Sequence, residues 1–478
     1  MPGDRSVFKA YDVRGTVPDE LDAELCRAVG AAFARFSGAE RVVVGRDMRT
    51  SGVELSEAFV EGATSQGASV IDVGLASTDL LYFASGLLGA PGAMFTASHN
   101  PARYNGIKMC LAGASPIGAD TGLGEIAEMA LSSQAPPGPG PRGTVEKRDL
   151  LDEFANHVRS FVDVGSLAPL SVVADTANGM GGLVVPAVFG PLPVSLEVMY
   201  PELDGSFPNH PADPIQPANL VDLSARVLAS GADVGLAFDG DADRVFLVDE
   251  RGATVSGSLT TALVARAMLA KNPGATVLYN LICSRVVPEV IAEAGGIAVR
   301  TRVGHSFIKA VMAESGALFG GEHSGHYYFR DNYRADSGLI AAMVVLGLMS
   351  EAGVPLSELL APLRERYADS GEINTVVADT AGVIDAVEAA ARSGSIGGRP
   401  AVVDRLDGLT ADFGDWWFNV RPSNTEALLR LNLEAADADA CAEHVAEVQT
   451  AILEVPAGNV AAASGAEASG AAASGGGG

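Results

Sequence analysis

The sequence predicts an α/β fold with a smaller α+β module towards the C-terminal end. Three observations predict it. Short apolar runs alternate with segments of helical period along most of the chain, which implies helices layered on a largely parallel sheet. A Pro/Gly-rich break interrupts that alternation once. From about residue 370 it gives way to a block of strands with two helices.

The elements follow in order. Leu21, Leu25, Val29, Ala32, Phe33 and Phe36 recur at helical spacing and predict a first helix with one buried face. "RVVVG" (41–45), "SVIDVG" (69–74) and "AMFTA" (93–97) read as buried strands with helical segments between them. "SSQAPPGPGPRG" (132–143) reads as a linker. A second run holds "LSVVADT" (170–176), a helix near 180–190 and "ADVGLAFD" (232–239). A third, after "DERGATVSG", holds "ATVLYN" (275–280), "GIAVRTRVG" (296–304) and "ALFGGE" (317–322). The last module reads as "EINTVVAD", a helix near 381–392, "AVVDRL", "WWFNV", "LLRLNLEA" and a final helix. The Ala/Ser/Gly-rich end, 457–478, cannot bury enough apolar surface to offset its ordering entropy and is expected to be disordered.

Composition narrows the function. The formal net charge of −27 argues against a nucleic-acid partner and against an anionic membrane surface. An anionic small substrate would need a local cluster of Arg and Lys against that field. Cys26, Cys110, Cys283 and Cys441 lie far apart with no CxxC pair, so reduced thiols are expected rather than a zinc site or disulfides. "MPGDRSVFKAYD" has no apolar core of a secretory signal, and no stretch of about 18 apolar residues occurs. A cytoplasmic enzyme is the expectation.

Four segments could carry chemistry. "FDGDADR" (238–244) follows the apolar run "VGLAF", so it should sit at the carboxyl end of a strand, where α/β sheets place ligands. Asp239, Asp241 and Asp243, spaced by two, could converge from a tight loop on one hard cation, and all-oxygen ligands favour Mg²⁺, Mn²⁺ or Ca²⁺. An EF-hand competes because Glu250 falls at its twelfth position. Its sixth position, however, is Arg244 rather than glycine, and a strand precedes it. A solvated acidic turn would leave clustered carboxylates without compensation.

"RPSNTE" (421–426) places a guanidinium, two hydroxyls and an amide in one loop, an anion cradle or else an ordinary turn. "GGEHSGH" (320–326) offers Glu322, Ser324 and His326 to a polyol; a His-containing turn or a weak metal site through His323 and His326 are alternatives. "FTASHNP" (95–101) holds Ser98 with no evident base, since neighbours in an extended or turning chain point apart and His99 is next in line. Basic groups recur nearby: Lys9, Arg14, Arg46, Arg49, Lys108, His305 and Lys309. Each alone reads as a surface charge.

Together a loop serine, three carboxylates, a polyol loop and an anion cradle fit phosphoryl transfer, which needs positioning and charge neutralisation more than an elaborate base. The four segments "TASHNP", "DGDADR", "GEHSGH" and "RPSNTE", in that order, resemble the α-D-phosphohexomutase family, within it the bacterial phosphomannomutase/phosphoglucomutase group. The resemblance runs from about residue 5 to 455, and "DGSFPNHPADP" (204–214) shares it without an evident role.

It implies four domains around a central cleft, three of similar mixed α/β topology and a fourth α+β: 1–146 with the phosphoserine loop, 147–252 with the metal loop, 253–367 with the sugar loop and 368–456 with the phosphate loop. It further implies interconversion of hexose 6-phosphate and hexose 1-phosphate, mannose ahead of glucose, through phosphorylated Ser98 and a hexose 1,6-bisphosphate. Mg²⁺ would be held by Asp239, Asp241, Asp243 and an oxygen of the Ser98 phosphate. Arg14, Arg244 and Lys108 would act at the transferring group, with Lys108 and His305 handling protons. Glu322, Ser324 and His326 would hold the sugar. Arg421, Ser423, Asn424 and Thr425 would hold the other phosphate. Ile282 stands where some dual-specificity relatives place a lysine. The alternatives are a phosphoglucosamine mutase, a non-catalytic phosphosugar-binding relative, a Ca²⁺-buffering loop, and a phosphatase with an aspartate nucleophile. The implied partner is a small phosphosugar, for a monomer or homodimer.

Overall fold

In the computed structural model, residues 5–132, 140–423 and 428–454 are described, with His305 as backbone only. The predicted linker is therefore only partly described, and the Ala/Ser/Gly-rich end lies outside the described residues. The chain forms two compact units, Met1–Arg366 and Tyr367–Gly478.

The first unit holds three sheets. The first contains β1 (Val13–Thr16), β2 (Arg41–Arg46), β3 (Ser69–Leu75), β4 (Gly92–Phe95), β5 (Tyr104–Leu111), β6 (Ser115–Pro116) and β7 (Val145–Lys147), in the order β1-β5-β4-β2-β3-β7 with β6 on β5. The second contains β8 (Ser171–Asp175), β9 (Ser195–Met199), β10 (Val234–Phe238), β11 (Val245–Asp249) and β12 (Thr254–Val255), in the order β12-β11-β10-β8-β9. The third contains β13 (Thr276–Asn280), β14 (Ile297–Thr301), β15 (Phe319–Gly321) and β16 (Tyr327–Phe329), in the order β14-β13-β15-β16.

One plan is repeated three times. Two helix-linked parallel strands are followed by a third parallel strand, and a hairpin then leads into an antiparallel neighbour. The sheets are thus mixed, as the family resemblance implied, whereas strand–helix alternation alone suggested a largely parallel one. The antiparallel member arises because the loop after the third strand is too short for a helical crossover, and only an antiparallel return fits. Each of these hairpins carries one of the chemistry-bearing segments: 96–103 between β4 and β5, 239–244 between β10 and β11, and 322–326 between β15 and β16.

Local physics supports each element. The first helix, Ala23–Ser37, is capped by Asp22, whose carboxylate accepts from the Leu25 N–H, and it ends at Gly38 in the left-handed region. Leu25, Val29, Ala32 and Phe33 are buried as the spacing predicts; Leu21 is buried just ahead of the cap. At Gly30 a Cβ would stand 2.1 Å from the Phe59 carbonyl oxygen, so the helix Gly52–Ser65 packs on backbone. Beyond the Pro/Gly-rich break, β7 rejoins the first sheet, parallel to β3, and spans the expected limit at residue 146. The hydrophobic helix Gly338–Ala352 is a core helix with ten buried positions, and no single helix among the described residues is long and apolar enough to cross a membrane.

The second unit is an antiparallel sheet of β17 (Ala368–Val376), β18 (Val402–Asp404), β19 (Leu409–Asp412), β20 (Trp417–Pro422) and β21 (Leu428–Ala435), in the order β17-β21-β20-β19-β18. It packs with the helices Thr380–Ser393 and Ala438–Leu453 around its own core, including Val387, Phe418, Leu431 and Val448.

Candidate active site

Ser98 lies in the β4–β5 hairpin with φ of 49°, and it is 5 % exposed. Its backbone N–H donates to Thr96 Oγ1 at 2.9 Å, a local turn that supports the left-handed residue. Its hydroxyl donates to Asp239 Oδ2 at 2.8 Å, and Arg244 Nη2 donates to the same hydroxyl oxygen at 3.2 Å. The serine loop and the metal loop, 141 residues apart, meet at this oxygen.

The structure corrects one expectation here. His99 Nδ1 is 3.3 Å from Ser98 Oγ, because the left-handed backbone folds the two neighbouring side chains together. His99 is nevertheless no base for the serine. Arg244 Nη2 donates to Nδ1 at 2.6 Å, and burial together with the Arg244 charge pushes the imidazole well below its ordinary range.

Asp239, Asp241 and Asp243 are at most 1 % exposed, and one oxygen from each lies within 4.8 Å of the others, as the spacing by two predicted. Lys108 in β5 donates to Asp241 Oδ2 at 2.8 Å and to Asp243 Oδ2 at 2.7 Å. Arg244 Nε donates to Asp239 Oδ2 at 2.8 Å, and Thr78 Oγ1 to Asp241 Oδ2 at 2.5 Å. Burial opposes charge on all three carboxyls. It prevails for Asp239, against Arg244 and with Asp241 and Asp243 reinforcing it, and for Asp243. At Asp241 the charge and hydrogen bond of Lys108, with Thr78, outweigh burial and hold the carboxyl far below its usual range. Three carboxylates thus face two cations, Lys108 and Arg244. Asp241 Oδ1 and Asp243 Oδ1 are buried with no hydrogen-bond partner, which is costly unless a cation completes the set. The donor set and the two orphaned oxygens fit a hard divalent cation. Glu250 takes no part: its carboxylate accepts from the Ser357 N–H at 3.1 Å and caps the helix Leu356–Arg364, which disposes of the EF-hand reading.

Arg14, in β1, donates to Asn100 Oδ1 at 2.5 Å and to the Ala97 carbonyl at 3.3 Å, and pairs with Asp12. It therefore braces the serine loop. Three of the basic residues read one by one as surface charges are drawn inward: Arg49, Lys108 and Lys309 have side chains 0 %, 14 % and 2 % exposed, whereas Lys9 is exposed.

In the β15–β16 hairpin, Glu322 is buried. It accepts from Asn280 Nδ2 at 3.2 Å, the Gly304 N–H at 3.1 Å and Tyr328 Oη at 2.6 Å. Burial raises its pKa against these three donors. Ser324 Oγ and His326 Nδ1 are 3.1 Å apart. Burial pushes His326 down to about 4, although its Nε2 lies 4.0 Å from Asp243 Oδ1 and 3.9 Å from Asp336 Oδ2. The 322–326 hairpin and the 239–244 loop therefore meet at one site. Asp336, ion-paired at 2.8 Å with Lys309, belongs to it without any signal in its sequence context. His305 begins the helix His305–Ser315, with only its backbone described.

In the second unit, Arg421 on β20 stands directly opposite Arg430 on β21. Glu372 joins them, accepting from Arg421 Nη2 at 3.0 Å and lying 3.4 Å from Arg430 Nη1. Arg430 Nη2 reaches Ser423 Oγ at 3.5 Å. Two guanidiniums thus share the carboxylate of Glu372. Arg430 and Glu372 escaped the sequence reading, though the alternation of two facing strands would have paired position 421 with 430. Asn424 and Thr425 lie outside the described residues.

Comparison with known proteins gives the same picture. Residues 5–135, 152–252 and 256–367 match phosphoglucomutase/phosphomannomutase alpha/beta/alpha domains I, II and III, and residues 372–451 match the C-terminal domain. The chain is 40 % identical over 428 residues to the phosphohexose mutases of Xanthomonas campestris pv. campestris, covering 89 % of this chain and 94 % of that one. It is 38 % identical over 435 residues to a phosphomannomutase of Escherichia coli K12, covering 90 % and 94 %. A solved phosphoglucomutase/phosphomannomutase family protein of Burkholderia thailandensis superposes with a TM-score of 0.86 at 32 % identity, covering 94 % of this chain and 97 % of that one. With all four domains matched in order and the three chemistry-bearing hairpins in place, the chain belongs to the phosphoglucomutase/phosphomannomutase family.

Proposed function

We propose that this chain is a phosphohexomutase that interconverts hexose 6-phosphate and hexose 1-phosphate, with mannose ahead of glucose, through phosphorylated Ser98 and a hexose 1,6-bisphosphate. The observation that carries this is the 2.8 Å contact between Ser98 Oγ and Asp239, inside a buried carboxylate triplet with two orphaned oxygens. A hydroxyl with no free base beside a cation site suits a phosphoryl relay, not an acyl-transfer nucleophile. The names of the relatives support the substrate class, and mannose within it.

Asp239, Asp241 and Asp243 would hold Mg²⁺ with an oxygen of the Ser98 phosphate, and the ion when bound neutralises charge on the transferring group. In the first half-reaction the P–O bond at Ser98 Oγ would break as phosphorus bonds to a free sugar hydroxyl, whose proton passes to a base; in the second the P–O bond at the other end of the bisphosphate would break as phosphorus bonds back to Ser98 Oγ, and the released sugar oxygen takes up a proton. Lys108 and His305 are the residues we assign to proton handling. Arg244 and Arg14 would steady the phosphoryl oxygens and the loop that presents them. Glu322, Ser324 and His326 would hold the sugar hydroxyls, with Glu322 exchanging internal donors for substrate ones. Arg421, Ser423, Asn424 and Thr425 would hold the phosphate at rest, joined by Arg430, with Glu372 yielding its place to the incoming anion. The four buried, unpaired cysteines fit a reducing compartment, the cytoplasm.

The test is intact-mass measurement of Ser98 phosphorylation by glucose 1,6-bisphosphate with Mg²⁺, beside kcat/KM for mannose 1-phosphate, glucose 1-phosphate and glucosamine 1-phosphate. Ser98→Ala should abolish labelling and lower kcat by at least about 10⁴-fold with its fold intact. Undiminished turnover in that variant would refute the relay, and a preference for glucosamine 1-phosphate would refute the mannose assignment.

A further inference from the structure

Arg49 has no role in the chemistry above, yet it is the arginine most completely enclosed, with its side chain 0 % exposed. All five of its N–H donors are engaged. Nε reaches Asp47 Oδ2 at 3.1 Å. Nη1 reaches the carbonyls of Pro101 and Tyr104, both at 2.9 Å. Nη2 reaches the carbonyls of Ser98 at 2.8 Å and Asn100 at 2.6 Å. Four of the five bonds thus go to the backbone of the serine hairpin, one of them to Ser98 itself.

The segment 204–214, which carried the family resemblance without an evident role, closes over this residue. The Phe207 ring lies 5.2 Å from the Arg49 guanidinium carbon, and Phe207 has φ of 52°. At Gly205 a Cβ would stand 2.7 Å from Arg49 Cα, so the segment approaches as bare backbone. From the other side the metal loop closes on the same carbonyl: a Cβ at Gly240 would stand 2.5 Å from the Ser98 carbonyl oxygen. Ser98 is held left-handed, a conformation a non-glycine residue keeps only where its surroundings over-determine it.

We infer that Arg49 is a positioning residue for phosphoryl transfer. It clamps the four carbonyls of the serine hairpin so that Ser98 Oγ returns to one place against the metal loop, and Phe207 seals the clamp. The assignment rests on the relay function of Ser98 proposed above. That relay needs it more than a one-way reaction would, because the same oxygen must give a phosphoryl group and take one back in line. The planar fork matters, since a lysine ammonium supplies charge but cannot span four carbonyls.

The test follows the rate at which glucose 1,6-bisphosphate labels Ser98 in the Mg²⁺-supplied full chain, by quenched intact mass, together with kcat and KM for mannose 1-phosphate. Arg49→Lys should keep the near-UV circular dichroism of the wild type yet label about a hundredfold more slowly, with the loss in kcat and not in KM. Phe207→Gly keeps the left-handed turn without the ring and should label about fivefold more slowly. A folded Arg49→Lys that labels at the wild-type rate, or whose defect lies wholly in KM, overturns the assignment. Where Arg49→Lys does not fold, Phe207→Gly decides: slower labelling supports the clamp and a wild-type rate overturns it. A wild-type chain that takes no label at Ser98 removes the relay and overturns both proposals, whereas a labelled wild type with an unaffected Arg49→Lys overturns this one alone.

Discussion

Ser98 shows how little a single position reveals before its neighbours are known. Its hydroxyl is shared by Asp239 and Arg244, both from a different sheet, and its carbonyl by Arg49. The aspartates were legible because spacing by two in a tight loop is itself a geometric statement. Arg49 was not, because burial has no signature in one arginine among many. At Asp241 the consequence is testable. Its Oδ1 is an orphaned buried acceptor, so Asp241→Asn removes charge where a cation is expected. Mg²⁺ titration of the mutase rate, or calorimetric titration with Mg²⁺, should show affinity roughly tenfold or more weaker. A superimposable titration would remove Asp241 from the ligand set.

At the scale of elements, the repeated hairpin after the third parallel strand explains why three unrelated-looking segments converge. Each follows a strand whose carboxyl end points to the ligand side of its sheet. The helices are tied across sheets by polar caps. Ser77 caps the helix Thr78–Leu88 and Ser337 caps Gly338–Ala352. Both hydroxyls donate to Asp79, from Ser337 at 2.6 Å. Asp79 is fully buried, and burial pushes its carboxyl up to about 8 against those two hydrogen bonds. A carboxyl that holds its proton more tightly folded than unfolded, where its pKa is about 3.9, stabilises the fold fully below the unfolded value. That contribution is lost as pH rises towards 8. Urea unfolding of the wild type from pH 4 to 8 should therefore include a decline of at most about 1.4 kcal/mol per pH unit from this group. Asp79→Asn, which cannot ionise, should flatten it. An identical pH dependence in the two proteins would show that Asp79 is ionised throughout.

At the scale of the molecule, the division into two compact units predicts more than one unfolding transition. The second unit has its own core, with Leu431 1 % exposed, so Leu431→Ala should cost about 2–5 kcal/mol there. In differential scanning calorimetry one transition should move and the other stay; a single transition shifting as a whole would contradict independent unfolding.

The sequence by itself determined the alternation of elements, the change of fold type near residue 370, the carboxylate triplet and the order of the four chemical segments, because periodicity, turn residues and short-range spacing are local quantities. Tertiary structure alone decided that His99 leans onto Ser98 yet is claimed by Arg244, and that Asp336 and Arg49 belong to the site. Those facts depend on how segments separated along the chain fold onto one another, and on which charges the fold withdraws from water. A linear pattern encodes neither.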